Sequence, residues 1–137
     1  MPYELIDHTA DLGIAVTAGD IHELYETAAH AMFEQIIEAG ALNGREKTTL
    51  SITGMDRADL MINWLRELLF FWNGRELLVK RTQIQQVTDT GIAASIWYDP
   101  FDPQRHEILS DIKAVTYHGL RVEQTEHEWR ALIIFDV

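Results

Sequence analysis

The chain has no cysteine, so disulfides, thiolate nucleophiles and thiolate metal sites are excluded. Any metal would rest on histidine and oxygen donors. No apolar run is long enough to span a bilayer. No basic segment precedes an apolar one at the start, so no signal peptide is expected and the cytoplasm is the default compartment. The glycines are scattered and form no phosphate-cradling loop, and no Gly-x-Ser-x-Gly elbow or His-Glu-x-x-His helix occurs. Positive charge is scarce: 11 Lys and Arg stand against 22 Asp and Glu, a net charge of −11. Residues 1–44 hold no Lys or Arg at all, yet carry Glu4, Asp7, Asp11, Asp20, Glu23, Glu26, Glu34 and Glu38. Holding nucleic acid by its phosphates needs clustered cations, so strong direct nucleic-acid binding is not expected. Such a surface suits a cation or a basic protein partner, although it also serves plain solubility.

What remains is enough for a globular fold. The 137 residues fit one domain over 1–137, and 47% are hydrophobic. Residues 3–6 and 12–17 read as strands, the second with Leu12, Ile14 and Val16 alternating. Asp20 is a good N-cap with Glu23 three residues on. Ile21, Leu24, Tyr25, Ala28, Ala29, Met32, Phe33, Ile36 and Ile37 then recur at helical spacing, and Gly40 offers a stop. Residues 48–53 read as a strand. Asp56 caps a second helix lined by Leu60, Met61, Trp64, Leu65, Leu68, Leu69 and Trp72, with Asn73-Gly74 as its stop. This helix is the more apolar, so it is expected to be the more buried. The two strand–turn–helix units resemble each other, 17–20 against 53–56, as a weak internal duplication would. Residues 77–87 and 92–98 form a hairpin around Asp89-Thr90-Gly91. Prolines 100 and 103 mark 99–103 as loop. Residues 112–117, 120–124 and 128–135 add three strands. The expectation is an α+β domain, with two helices on an antiparallel or mixed sheet of about eight strands.

Oxygen donors cluster at the two ends of the sequence. Asp7 and Asp11 lie in a polar interruption between two strands, and Asp136 and the Val137 carboxylate follow the last one. If these ends meet, their hard oxygens suit calcium, magnesium or manganese, and the ion relieves repulsion between the carboxylates. Asp7 or Asp11 could instead make a side-chain turn to nearby backbone N–H groups. His8, His118 and His127 are candidates for ligand or proton transfer, though strand-end histidines are more often structural. Lys113 is one of few cations, suited to neutralising the carboxylates, to touching a partner, or to guarding a strand edge.

Four blocks carry a family resemblance. They are Asp7-His8-Thr9-Ala10-Asp11-Leu12-Gly13-Ile14, Asn63-Trp64-Leu65-Arg66-Glu67-Leu68-Leu69, Ile112-Lys113-Ala114-Val115-Thr116-Tyr117-His118 and Phe135-Asp136-Val137. In this order they resemble the archease family along the whole chain, with Asn63 standing where the family pattern has Asp. The resemblance implies a protein cofactor rather than an enzyme. The partner it implies is the GTP-dependent RNA ligase of tRNA splicing and RNA repair, whose guanylylation and multiple turnover archeases promote. A chaperone-like effect on tRNA methyltransferases is a second implied role. The family binds a divalent cation, calcium in known members. Carried over, the ligands are Asp11, Asp136 and Val137, Lys113 is functionally important, and Asp7 and His8 shape the loop. A metal-dependent hydrolase is the rival from another class.

Overall fold

In the computed structural model the described residues are 3–8 and 11–137. Thr9 and Ala10 of the polar loop, and the side chains of Asp7 and His8, lie outside them. The order is β1 (Tyr3–His8), β2 (Asp11–Ala18), α1 (Ile21–Ile36), a 3-10 turn (Ala39–Ala41), β3 (Glu46–Thr53), α2 (Arg57–Arg75), β4 (Leu77–Val87), β5 (Gly91–Pro100), β6 (Ala114–Gln124) and β7 (Trp129–Asp136). The strands form two sheets, β1-β2-β7-β6 and β3-β5-β4, and every pairing is antiparallel. The α+β expectation holds, with both helices packed on antiparallel sheet.

Both helices start where the sequence puts them. The Asp20 side chain accepts from the Glu23 N–H, and the Asp56 side chain accepts from the Asp59 N–H, each at 2.8 Å. A cap of this kind stabilises a helix by about 1 kcal/mol. The two capped turns are alike, but β2 is an inner strand of one sheet and β3 an edge of the other. The helices are joined through their polar atoms as well. The Trp64 indole N–H donates to the Tyr25 carbonyl at 2.9 Å, and the Tyr25 hydroxyl donates to the Arg57 carbonyl. Each helix touches both sheets: α1 meets β1, β2 and β7 on one side and β4 on the other, and α2 meets β6 and then β3, β4 and β5.

One expectation is corrected. Nine of the 16 residues of α1 are buried, against eight of the 19 in α2, so α2 is not the more buried helix. The small side chains Ala28, Ala29 and Ala31 let α1 approach strands on two sides. Further corrections concern boundaries. Helix α1 ends at Ile36, and Gly40 sits in the 3-10 turn beyond it. Helix α2 runs past Asn73-Gly74 to Arg75, and Glu76 takes the left-handed conformation at φ 55°, its N–H reaching the Phe71 and Trp72 carbonyls. Asp99 and Pro100 belong to β5 rather than to a loop. Pro100, opposite Leu77, is the last residue of the strand, where the lost donor matters least.

Among the described residues there are seven strands, not eight. Residues 112–117 and 120–124 are not two strands, because 114–124 is the single strand β6. Its pairing with β7 slips between Thr116, opposite Ile134, and Arg121, opposite Leu132. Four residues of β6 therefore bulge against one of β7. Gly119 supplies the left-handed turn this requires, at φ 68°.

Candidate metal site at the end of the first sheet

The alternation of β2 and β7 sets their register. Leu12 lies opposite Phe135 and Ile14 opposite Ile133, so both strands turn these residues to the core. One step beyond the Leu12–Phe135 pair, Asp11 falls directly opposite Asp136. Opposed residues of an antiparallel pair send their side chains to the same face, with Cα atoms about 5 Å apart. Here that is the face turned away from the helices. The same row continues to His8 on β1 and to Ala114 on β6. The Lys113 N–H donates to the Asp136 carbonyl at 2.8 Å, so Lys113 adjoins the paired aspartates. The two ends of the sequence do meet.

Helix α2 holds the Lys113 segment from both sides. The Asn73 amide donates to the Ile112 carbonyl at 3.2 Å. The Arg66 Nε and a terminal guanidinium nitrogen donate to the Val115 carbonyl at 3.3 and 3.2 Å. The Arg66 guanidinium also lies over the Tyr117 ring, 4.8 Å from its centre, and the Tyr117 hydroxyl bonds Asp59. Sequence reasoning missed this clamp and read Asn73 only as a helix stop. The available signal was spacing: positions 66 and 73 lie seven apart, two polar residues on one helix face.

Asp136 and Val137 are exposed, and Asp11 is half-buried. The donors are carboxylate oxygens, which fit a hard cation and not a soft one. Among the described residues no three His, Asp or Glu side chains gather into a ligand set. An ion bound at Asp11 and Asp136 would therefore also draw on the Val137 carboxylate, backbone carbonyls or water. His118 stands in the β6 bulge, and His127 lies exposed in the β6–β7 turn, 3.9 Å from the Glu126 carboxylate. Asn63 donates to the Thr53 carbonyl and to Asp59, near the start of α2. No described helix is long and apolar enough to cross a membrane.

The comparisons with known proteins follow the same outline. Residues 3–137 match the model of the archease protein family (MTH1598/TM1083). A protein archease from Methanopyrus kandleri is 31% identical over the full length of both chains. One from Methanosarcina acetivorans is 30% identical over 98% of this chain and 95% of its own. The solution structure of Methanobacterium thermoautotrophicum protein 1598 superimposes with a TM-score of 0.82 at 27% identity, over 98% of each chain. A Thermotoga maritima crystal structure, described as an archease and possible chaperone, shares the fold with a TM-score of 0.67 at 20% identity, over 96% of this chain and 94% of that one. The chain belongs to the archease family.

Proposed function

We propose that this protein is a cytoplasmic cofactor of the GTP-dependent RNA ligase of tRNA splicing and RNA repair, acting through a calcium-binding tip and catalysing nothing by itself. Asp11, Asp136 and the Val137 carboxylate hold the ion, while Asp7 and His8 shape the adjoining loop. When bound, the ion supplies positive charge that offsets carboxylates otherwise forced to repel one another. Lys113 contacts a phosphate or a carboxylate of the ligase. The acidic surface steers the tip to a basic partner, and docking at the ligase's GTP pocket promotes guanylylation and renewed turnover. The supporting observation is the row that sets Asp11 opposite Asp136, with Lys113 bonded to the Asp136 carbonyl.

The test is a reconstituted guanylylation assay with the ligase and GTP. Wild-type protein should accelerate guanylylation and allow multiple turnover. The Asp11→Ala/Asp136→Ala double variant should melt as a folded protein and stimulate nothing. Equal stimulation by the variant would end this reading. Phosphoester hydrolysis by the purified chain with divalent metal would point to a hydrolase instead. Protection of a tRNA methyltransferase that survives chelation would point to a chaperone module.

A further inference from the structure

The second sheet, β3-β5-β4, has its inner face against the helices, and among the described residues no helix or strand packs on its outer face, where the 43–45 loop covers only the Asp99 end. Row by row across the strands, the outer face reads Lys47–Trp97–Arg81, Thr49–Ser95–Gln83 and Ser51–Ala93–Gln86. Lys47, Thr49, Ser51, Arg81 and Gln83 are exposed and Trp97 is half-buried. Trp97 is flanked by two cations from the neighbouring strands. The Arg81 guanidinium lies 3.7 Å from its ring centre and the Lys47 ammonium 5.0 Å. Beyond them the exposed side chains Thr49, Ser51, Gln83 and Gln86 are uncharged hydrogen-bonding groups, while Ser95 is buried and accepts from the Gln85 amide at 2.8 Å. The far end carries a shallow groove of about 250 Å³ between Ser51, Thr53, Gln86 and Ala93.

This face has no carboxylate to spare in a chain with twice as many acids as bases. Asp99, next along β5, is buried, and its two oxygens accept the N–H groups of Asn43, Gly44 and Arg45. A protein partner would need apolar anchors, and apart from Trp97 the rows offer only Ala93. A single-stranded nucleic acid needs a flat ring or guanidinium to stack on, cations for phosphates and uncharged groups for base edges. All three are present. We propose that the outer face of this sheet binds single-stranded nucleic acid weakly, with the Arg81 guanidinium, seated on the Trp97 ring, as stacking platform and Lys47 and Arg81 as phosphate contacts. The net charge of −11 keeps this binding weak and salt-sensitive, because the rest of the surface repels phosphate. The face lies on a different sheet from the aspartate tip, so the proposal does not rest on the ligase reading.

Fluorescence anisotropy of a dye-labelled single-stranded RNA, titrated with the protein at rising salt, tests it. Wild-type protein should bind at low salt, with a log–log salt slope of about −1.4 for two phosphate contacts. Trp97→Ala should weaken binding at least about fivefold, the lower end of a lost base stack. Trp97→Phe, which keeps a ring, should retain most of it. Lys47→Gln/Arg81→Gln should flatten the salt slope, while Arg130→Gln on the other sheet changes nothing. The same RNA annealed into a duplex should bind less well. Absence of binding at low salt overturns the proposal, as does equal binding to duplex. A polyglutamate peptide that binds as well as RNA and tolerates Trp97→Ala also overturns it, by making the face a patch for acidic protein.

Discussion

Replacing Asp99 by asparagine removes a charge around which a remote loop is wrapped. Oδ2 accepts from Asn43 at 2.7 Å and Gly44 at 2.8 Å, and Oδ1 accepts from Arg45 at 3.1 Å. Asparagine has one oxygen, so its amide nitrogen must face at least one of these N–H groups. Hydrogen bonds to a charged acceptor contribute about 1.5–3 kcal/mol each. Losing one, and the charge behind the other two, should cost about 3 kcal/mol, a large part of a typical stability of roughly 5–15 kcal/mol. Urea unfolding followed by circular dichroism measures this difference. Its pH dependence is also fixed in sign. Burial pushes the Asp99 carboxyl up, but the Gly44, Arg45 and Asn43 N–H groups outweigh it and, with His106 nearby, hold it below the ordinary carboxylate value. A depressed carboxylate adds stability that is complete above the unfolded pKa, about 3.9, and fades as pH falls through the folded value. The two proteins should therefore differ fully at neutral pH and converge on acidification. Equal stability at pH 7, or a gap that widens in acid, would contradict a charged Asp99 holding the 43–45 loop.

Other perturbations separate local from long-range effects. Arg66→Ala removes two donors to Val115 and the contact with Tyr117, and should cost about 1–2 kcal/mol. Hydrogen exchange at the Lys113 amide should rise in that variant. A Cβ on Gly54 would stand 2.6 Å from the Leu60 backbone nitrogen, which cannot move aside cheaply. Gly54→Ala should thus cost about 1–3 kcal/mol or more in thermal unfolding, from steric overlap alone. Gly119→Ala meets nothing closer than Ile134 at 3.8 Å, so only its backbone strain counts, about 1–2 kcal/mol by the same measurement.

The caps of both helices were legible because Asp20 and Asp56 act within three residues of themselves. The alternation of Trp129, Ala131, Ile133 and Phe135 was legible because a half-buried strand writes its inner face into the sequence. It also carried the candidate site. Once Leu12 and Phe135 face the same core, the aspartates one step outward oppose each other. What escaped depends on contacts between remote residues. The β6 bulge is a matter of register with β7, and nothing in residues 112–124 alone separates it from a turn. Asp99 looked like loop because Pro100 and Pro103 follow it, and the N–H groups that it holds lie more than 50 residues earlier, out of reach of any local pattern. Asn73-Gly74 looked like a helix stop because both residues tolerate the left-handed conformation, and the acceptor of the Asn73 amide, Ile112, lies 39 residues on. The burial of α1 rests on its small buried residues Ala28, Ala29 and Ala31, whose closeness to the strands one apolar stripe does not announce.

On the reading proposed above, the meeting of Asp11 and Asp136 makes a cation site. Equilibrium titration with calcium measures it directly, on wild-type protein and on Asp11→Asn/Asp136→Asn, with thermal melts alongside. One saturable site should appear in the wild type, raising its melting temperature, and vanish in the variant. A wild type that binds no calcium, or a variant that binds it equally, would contradict the claim.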